Sequence, residues 1–445
     1  MTFQKFQLRK IFIYIRSSLW FVPTLLTLGA LVLASALIEI DIRFYDPLRE
    51  HLPQLLITEP EGAHSMLSAI ATSMATVAGV VFSITIVALT LASTQYSPRV
   101  LRNFMRDRAN QFVLGVFVGV YIYCLVVLKT ISGGEESFVP LVAVLVGLLS
   151  AIVAIGFFIF FIHHISTAIQ ASEIALAITA ETLTAIDHLF PPKPEHQGNV
   201  DEGKLRALSE ISWKAIPSHE IGYIQSVDEE ALFTLACRHQ TVLRMEYGIG
   251  DFVGCGRPLL SIATEGTVTE KIIKETGKIF AIGSYRTIEQ DISFGIRQLV
   301  DISLKALSPS VNDTTTAVTC IEHLTIVLSR AAQRCTPNPY RYENGELRVL
   351  RQEISFEDLV SLSYRQMLDH AYSNAELVTQ LLRSIERIVQ NTSRSAYLAI
   401  LRKWADLIES TAKPHLSNSH AQRRVEEHYR NVLLAFDQQV SVLTS

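Results

Sequence analysis

Ser65, Ser68, Thr72, Thr76, Gly79, Ser83, Thr90 and Thr94 recur three, four or seven residues apart along one hydrophobic stretch. At about 100° per residue they share one face of a helix. A row of hydroxyls can replace part of the hydration shell of an ion or small polar solute, and it carries no fixed charge that would trap it. Small side chains also let helices approach closely in a bilayer, where burial against another apolar helix gains little. The stripe therefore reads as a pore lining or as a packing face. A pore lining needs several copies around an axis, because four helices of one chain leave little room for an aqueous channel.

Three further groups could do chemistry or couple motion. Arg99, Arg102, Arg106 and Arg108 follow the stripe. Cations there fix topology and contact anionic headgroups, at roughly 1 kcal/mol each. They could also transmit movement to the hydroxyl helix. The densest polar run extends from Arg286 to Ala317. In it Asp291 can cap a helix on which Arg297 and Asp301 form an i, i+4 pair. Ser310, Asn312 or Asp313 can cap the next helix after a turn at Pro309. Beyond capping, the run with Arg286, Gln290, Asn312 and Asp313 is a candidate for a subunit interface or for a small-ligand or ion site at that turn. His163-His164 are adjacent, so on a helix they diverge by about 100° and do not chelate one metal.

Other chemistries are not called for. No P-loop, G-x-S-x-G, dinucleotide fingerprint or H-E-x-x-H is present. We expect no enzyme, no metal and no cofactor. A net charge of −4 gives no basic field for nucleic acid. Cys124, Cys237, Cys255, Cys320 and Cys335 lack C-x-x-C spacing and read as reduced thiols.

The elements that would position these residues begin with four apolar spans, about 18–40, 66–91, 111–130 and 138–162. Each is near the ~20 residues that cross a bilayer. They hold almost no ionisable residue, which disfavours a proton-coupled carrier. Lys5, Arg9, Lys10 and Arg16 precede the first span, and the arginine cluster follows the second. The other loops carry Asp41, Asp46, Glu50, Glu59 and Glu61, then Glu135 and Glu136. Lys and Arg excess marks the cytoplasmic side, so both termini are predicted inside. The fourth span reads as continuing unbroken to Leu189, before Pro191-Pro192. The predicted organisation is a transmembrane domain at 1–165, a helical extension and linker at 166–203, a small β-rich module at 204–265, an α/β segment at 266–353 and a helical region at 354–445. A hairpin is expected at Asn344-Gly345, and capping-box spacing occurs at Ser373–Glu376.

Several stretches resemble bacterial predicted membrane proteins grouped as domain of unknown function 2254. They are Tyr96-Ser-Pro-Arg99, Gly222-Tyr-Ile-Gln-Ser-Val-Asp228, Gly250-Asp-Phe-Val-Gly-Cys-Gly-Arg-Pro-Leu259, Arg286 through Ala317, and Phe356-Glu-Asp-Leu-Val360. The resemblance implies the architecture and no mechanism. Gly222-Tyr-Ile-Gln and Gly250-Asp-Phe-Val are also similar to the two halves of biotinyl/lipoyl-type half-barrels, without their modified lysine.

The expected fold is thus a four-helix membrane domain with a cytoplasmic α+β domain that holds a β-barrel-like module. The expected function is a homo-oligomeric inner-membrane channel for ions or a small solute, lined by the stripe and gated from the cytoplasm. The alternative is a membrane-anchored scaffold or sensor with no path.

Overall fold

The computed structural model describes residues 20–43, 60–99, 107–131, 138–192, 212–264, 269–352, 354–392 and 394–444. They fall into two compact units that part between Glu173 and Ile174.

The first unit holds four helices, each long and apolar enough to cross a membrane. They are α1 (Phe21–Arg43), α2 (Pro60–Gln95), α3 (Arg108–Thr130) and α4 (Leu141–Ala168). Their shared core is Leu67, Val113, Phe117, Tyr123, Ala143, Ala154 and Phe161. Glycines set the closest approaches. A Cβ on Gly115 would lie 2.6 Å from Leu26 Cδ1 and 2.9 Å from the Pro23 backbone, so only glycine lets α1 lie this near α3.

Side chains from distant elements satisfy the exposed backbone groups at the helix ends. Asp41 is buried in the last turn of α1, rather than in the loop where its charge suggests. Its carboxylate accepts from Val142 N and Ala143 N at 3.0 and 2.9 Å, capping α4 from another helix. Asp107 caps α3 by accepting from Ala109 N at 2.9 Å. Tyr123 donates to Ala143 O at 2.7 Å.

The fourth span does not run unbroken to Leu189. The α4 helix stops at Ala168, and α5 (Ala171–Leu189) begins after Ile169-Gln170. No glycine or proline causes the break. The Ile169 carbonyl accepts from the Tyr96 hydroxyl at 2.8 Å, and the Gln170 amide turns back to Thr167 O at 3.0 Å.

The second unit carries two sheets and a set of helices. The strands are β1 (Trp213–Pro217), β2 (Gly222–Val227), β3 (Leu243–Met245), β4 (Phe252–Val253), β5 (Pro258–Ala263), β6 (Phe280–Gly283), β7 (Tyr340–Glu343) and β8 (Glu346–Leu350). One sheet has the order β1-β5-β3-β8-β7 and the other β4-β2-β6. Neither closes into a barrel, which corrects the expected barrel-like module. Its strands are divided between two sheets, and the distant β8 pairs parallel with β3 instead of letting the module close on itself. The lipoyl-like halves do pair, through Gly222↔Val253 and Tyr223↔Phe252. The β7–β8 turn is at Asn344-Gly345, whose φ values of 50° and 80° suit the reversed turn of a two-residue hairpin.

Two short helices, α6 (Glu229–Arg238) and α7 (Glu270–Ile279), lie among the strands. The longer ones are α8 (Ile292–Ala306), α9 (Thr314–Ala332), α10 (Phe356–Ala371), α11 (Ala375–Asn391), α12 (Ser395–Ala412) and α13 (Ser419–Thr444). The capping box is at Ser355–Asp358, ahead of α10. At the expected Ser373–Glu376 position Asn374 caps α11 instead, accepting from Glu376 N at 3.0 Å. Inside the helical layers Tyr364 and Thr325 both meet the Ser384 hydroxyl at 2.6 Å, so three buried hydroxyls satisfy one another.

Candidate functional site

The α2 helix has two faces of different chemistry. Ala63, Leu67, Ala71, Met74, Val81, Ala88 and Ala92 are buried within the unit. Ser65, Thr72, Thr76, Gly79, Ser83, Thr90 and Thr94 are exposed, and Ser68 is half-buried. A Cβ on Gly79 would meet nothing within 4 Å. The stripe therefore does not pack α2 against the other helices of its own chain. Large apolar side chains are exposed beside the stripe at Val80, Phe82, Ile86 and Val87, as they are at Leu28, Leu31 and Val32 on α1 and Leu149, Ile152 and Ile159 on α4. Those faces suit lipid.

From Thr72 to Thr94 the stripe hydroxyls have their protons engaged within α2. Thr72 donates to Ser68 O at 2.9 Å, Thr76 to Thr72 O at 2.9 Å, Ser83 to Gly79 O at 2.8 Å and Thr90 to Ile86 O at 2.9 Å. A hydroxyl that donates inward keeps oxygen lone pairs for an outside donor or cation. The exposed face is thus a row of weak acceptors.

At the far end of α2, Arg99 is exposed and Ser97 Oγ accepts from its amide at 3.2 Å. Arg108 is exposed in the first turn of α3. Arg102 and Arg106 lie outside the described residues. The polar groups that sequence reasoning missed are close by. Asp107 Oδ2 is 2.6 Å from His164 Nε2, so one of the paired histidines has a carboxylate partner. Asn110 and Gln111 are buried in the first turn of α3. An Asp directly ahead of an apolar run is an N-cap signal that could have located Asp107.

In the second unit, the Arg286–Asp313 run forms a clamp and two caps. Arg286 grips Asp291 with two bonds, Nε to Oδ2 at 2.7 Å and NH2 to Oδ1 at 2.9 Å, and also donates to Ser293 Oγ at 2.7 Å. Asp291 Oδ1 accepts from Phe294 N at 3.1 Å and caps α8. Gly250, at φ 91°, lies against this pair, where any Cβ would overlap the Asp291 carboxylate. Gln290 accepts from Val227 N at 2.9 Å, which ties the clamp to β2. On α8, Arg297 pairs with Asp301 at 2.8 Å and reaches Gln366 on α10 at 2.6 Å. Asp313 accepts from the Thr316 hydroxyl at 2.5 Å and caps α9 by accepting from Thr316 N at 3.0 Å, and these bonds hold its carboxyl below the usual carboxylate range. Asn312 takes the left-handed conformation at φ 49°, and Pro309 is exposed in the turn before it. These partners all lie within the chain.

Further ties join α5 to its neighbours. Asp187 meets Arg330 and Arg334, each at 2.7 Å. Thr179 Oγ1 is 2.9 Å from His323 Nδ1. A Cβ on Gly295 would overlap the Thr182 side chain, so glycine permits α8 to approach α5. Burial of His323 lowers its proton affinity, against the opposing charge of Glu322. Among the described residues no group of three or more His, Cys, Asp or Glu side chains could hold a metal ion.

Four bilayer-length helices followed by an α+β unit define a multi-helix membrane protein. The chain belongs to the family of predicted membrane proteins described as DUF2254, whose profile matches residues 16–387. It is similar to an uncharacterized protein of Mycobacterium bovis, 32% identical over 339 residues, which covers 75% of this chain and 64% of the relative. An uncharacterized protein of Mycobacterium tuberculosis matches with the same identity and coverage. The match thus spans less than two thirds of the length of these relatives. No solved structure matches the chain.

Two outcomes follow for the second unit. Arg286→Ala leaves the buried Asp291 carboxylate without its cation, and should destabilise the folded protein by about 3 kcal/mol. Thermal or denaturant unfolding of the detergent-solubilised full chain reads this, and an unchanged midpoint contradicts the clamp. His323 is held below its ordinary value near 6.5. Its contribution is therefore fully present above that pH and is lost as pH falls below it, when the unfolded chain takes up the proton more readily. A pH series of melting temperatures should fall less steeply on the acid side for His323→Gln than for the parent.

Proposed function

We propose that the protein is a homo-oligomer of the bacterial inner membrane in which the hydroxyl face of α2 lines a passive path for cations or small polar solutes. The observation that carries the reading is the outward stripe on α2, a small and weakly polar face that its own chain leaves uncovered. Lipid gains nothing from such a face, whereas a symmetric assembly can gather several copies around one axis. Its acceptor character favours cations and hydrogen-bond donors over anions.

Both termini are cytoplasmic in this proposal. The basic residues at the N-terminus and after α2 support that orientation, as do the acidic residues after α1 and α3. The α+β unit then gates the path and performs no catalysis. The engagement of the stripe hydroxyls from Thr72 to Thr94 with their own helix favours a second reading, a membrane-anchored scaffold whose α2 faces only pack together.

Flux in proteoliposomes separates the two. Thr76→Phe should reduce cation flux at least tenfold and leave the mass of the particle unchanged. Flux equal to that of the parent, with assembly intact, contradicts the path. Single cysteines at Thr76 and Ser83, in a background lacking the exposed Cys255, should react with a charged thiol reagent from water. Uniform protection supports the scaffold.

A further inference from the structure

The end of α4 is held from two sides. Tyr96, directly after α2, donates its hydroxyl to the carbonyl of Ile169 at 2.8 Å. Asp107, directly before α3, bonds His164 at 2.6 Å. The two anchor residues thus lie at the two ends of the chain interval that joins α2 to α3. Their targets are about 1.4 turns apart at the end of one helix.

Each arm is fixed by a second contact. Asp107 also caps α3 through Ala109 N, so its carboxylate cannot leave His164 without releasing or re-aiming that cap. The His164 ring stacks on Phe160, 5.6 Å between centroids and 11° from parallel, which fixes its direction. The Ile169 carbonyl is available because α4 stops there, and the Gln170 amide turns back to Thr167 O at 3.0 Å. An end carbonyl of a helix needs an outside donor, and Tyr96 supplies one.

We propose that these two bonds act together as a clasp that couples the end of α4 to the end of α2 and the start of α3. Displacement of α4 near Ile169 then moves the last turn of the hydroxyl helix. The effect on conduction rests on the channel reading, but the coupling itself does not.

Hydrogen exchange on the full chain in lipid nanodiscs tests this. Tyr96→Phe removes one hydroxyl, and His164→Phe removes the other bond while keeping a ring to stack on Phe160. Each variant should raise exchange at both arms, in 91–96, 108–111 and 165–170, by about tenfold, the scale of one lost hydrogen bond in a local opening. Exchange in 115–125, within the α3 core, should not change, which shows that the variants fold. An increase confined to the arm that was altered overturns the clasp, as does no increase at all. Linked exchange at both arms in a protein whose parent form carries no flux supports the clasp and removes the channel. Flux in the parent with unlinked exchange does the reverse.

Discussion

A helix in hydrocarbon must find partners for its polar groups inside the protein, because lipid offers none. The first unit obeys this constraint with bonds that cross between helices. Asp41 supplies acceptors to two amides at the start of α4, and Asp107 accepts from one amide at the start of α3 while holding His164. The stripe on α2 obeys it differently. Its hydroxyl protons return to the carbonyls of their own helix, so they need no neighbour. Water, an ion, a solute or another copy of the chain can then meet the remaining lone pairs.

The asymmetry of α2 gives this arrangement its functional sense. The inner face is built from alanine, leucine and methionine and packs into the shared core. The outer face carries the hydroxyl row beside large exposed side chains, Val80, Phe82, Ile86 and Val87, of the kind that α1 and α4 also present. Large aliphatic surfaces match acyl chains, whereas Ser, Thr and Gly surfaces match close helix contacts or a polar lumen. The outer face of α2 thus combines both kinds of surface.

Features set by short-range rules were legible in the sequence. Four apolar runs, the cap at Asp291, a second cap among Ser310, Asn312 and Asp313 that falls to Asp313, and the Asn344-Gly345 hairpin each depend on residues a few positions apart. Features set by distant partners were not. The β-rich segment reads as a closed module until β8 joins β3, and nothing in 204–265 announces that pairing. The carbonyl at the end of α4 is met by Tyr96, 73 residues earlier, and its start is capped by Asp41, about a hundred residues earlier. The stripe itself was legible from spacing. That it faces away from its own chain was not, because periodicity gives a face and not its neighbour.

The mass of the full-length particle in nanodiscs is the most direct measurement of the central claim. Shared burial of the α2 hydroxyl face predicts a cyclic assembly of three or more subunits, enough to enclose an axis. A monomeric particle would leave that face against lipid and would contradict a path formed between subunits.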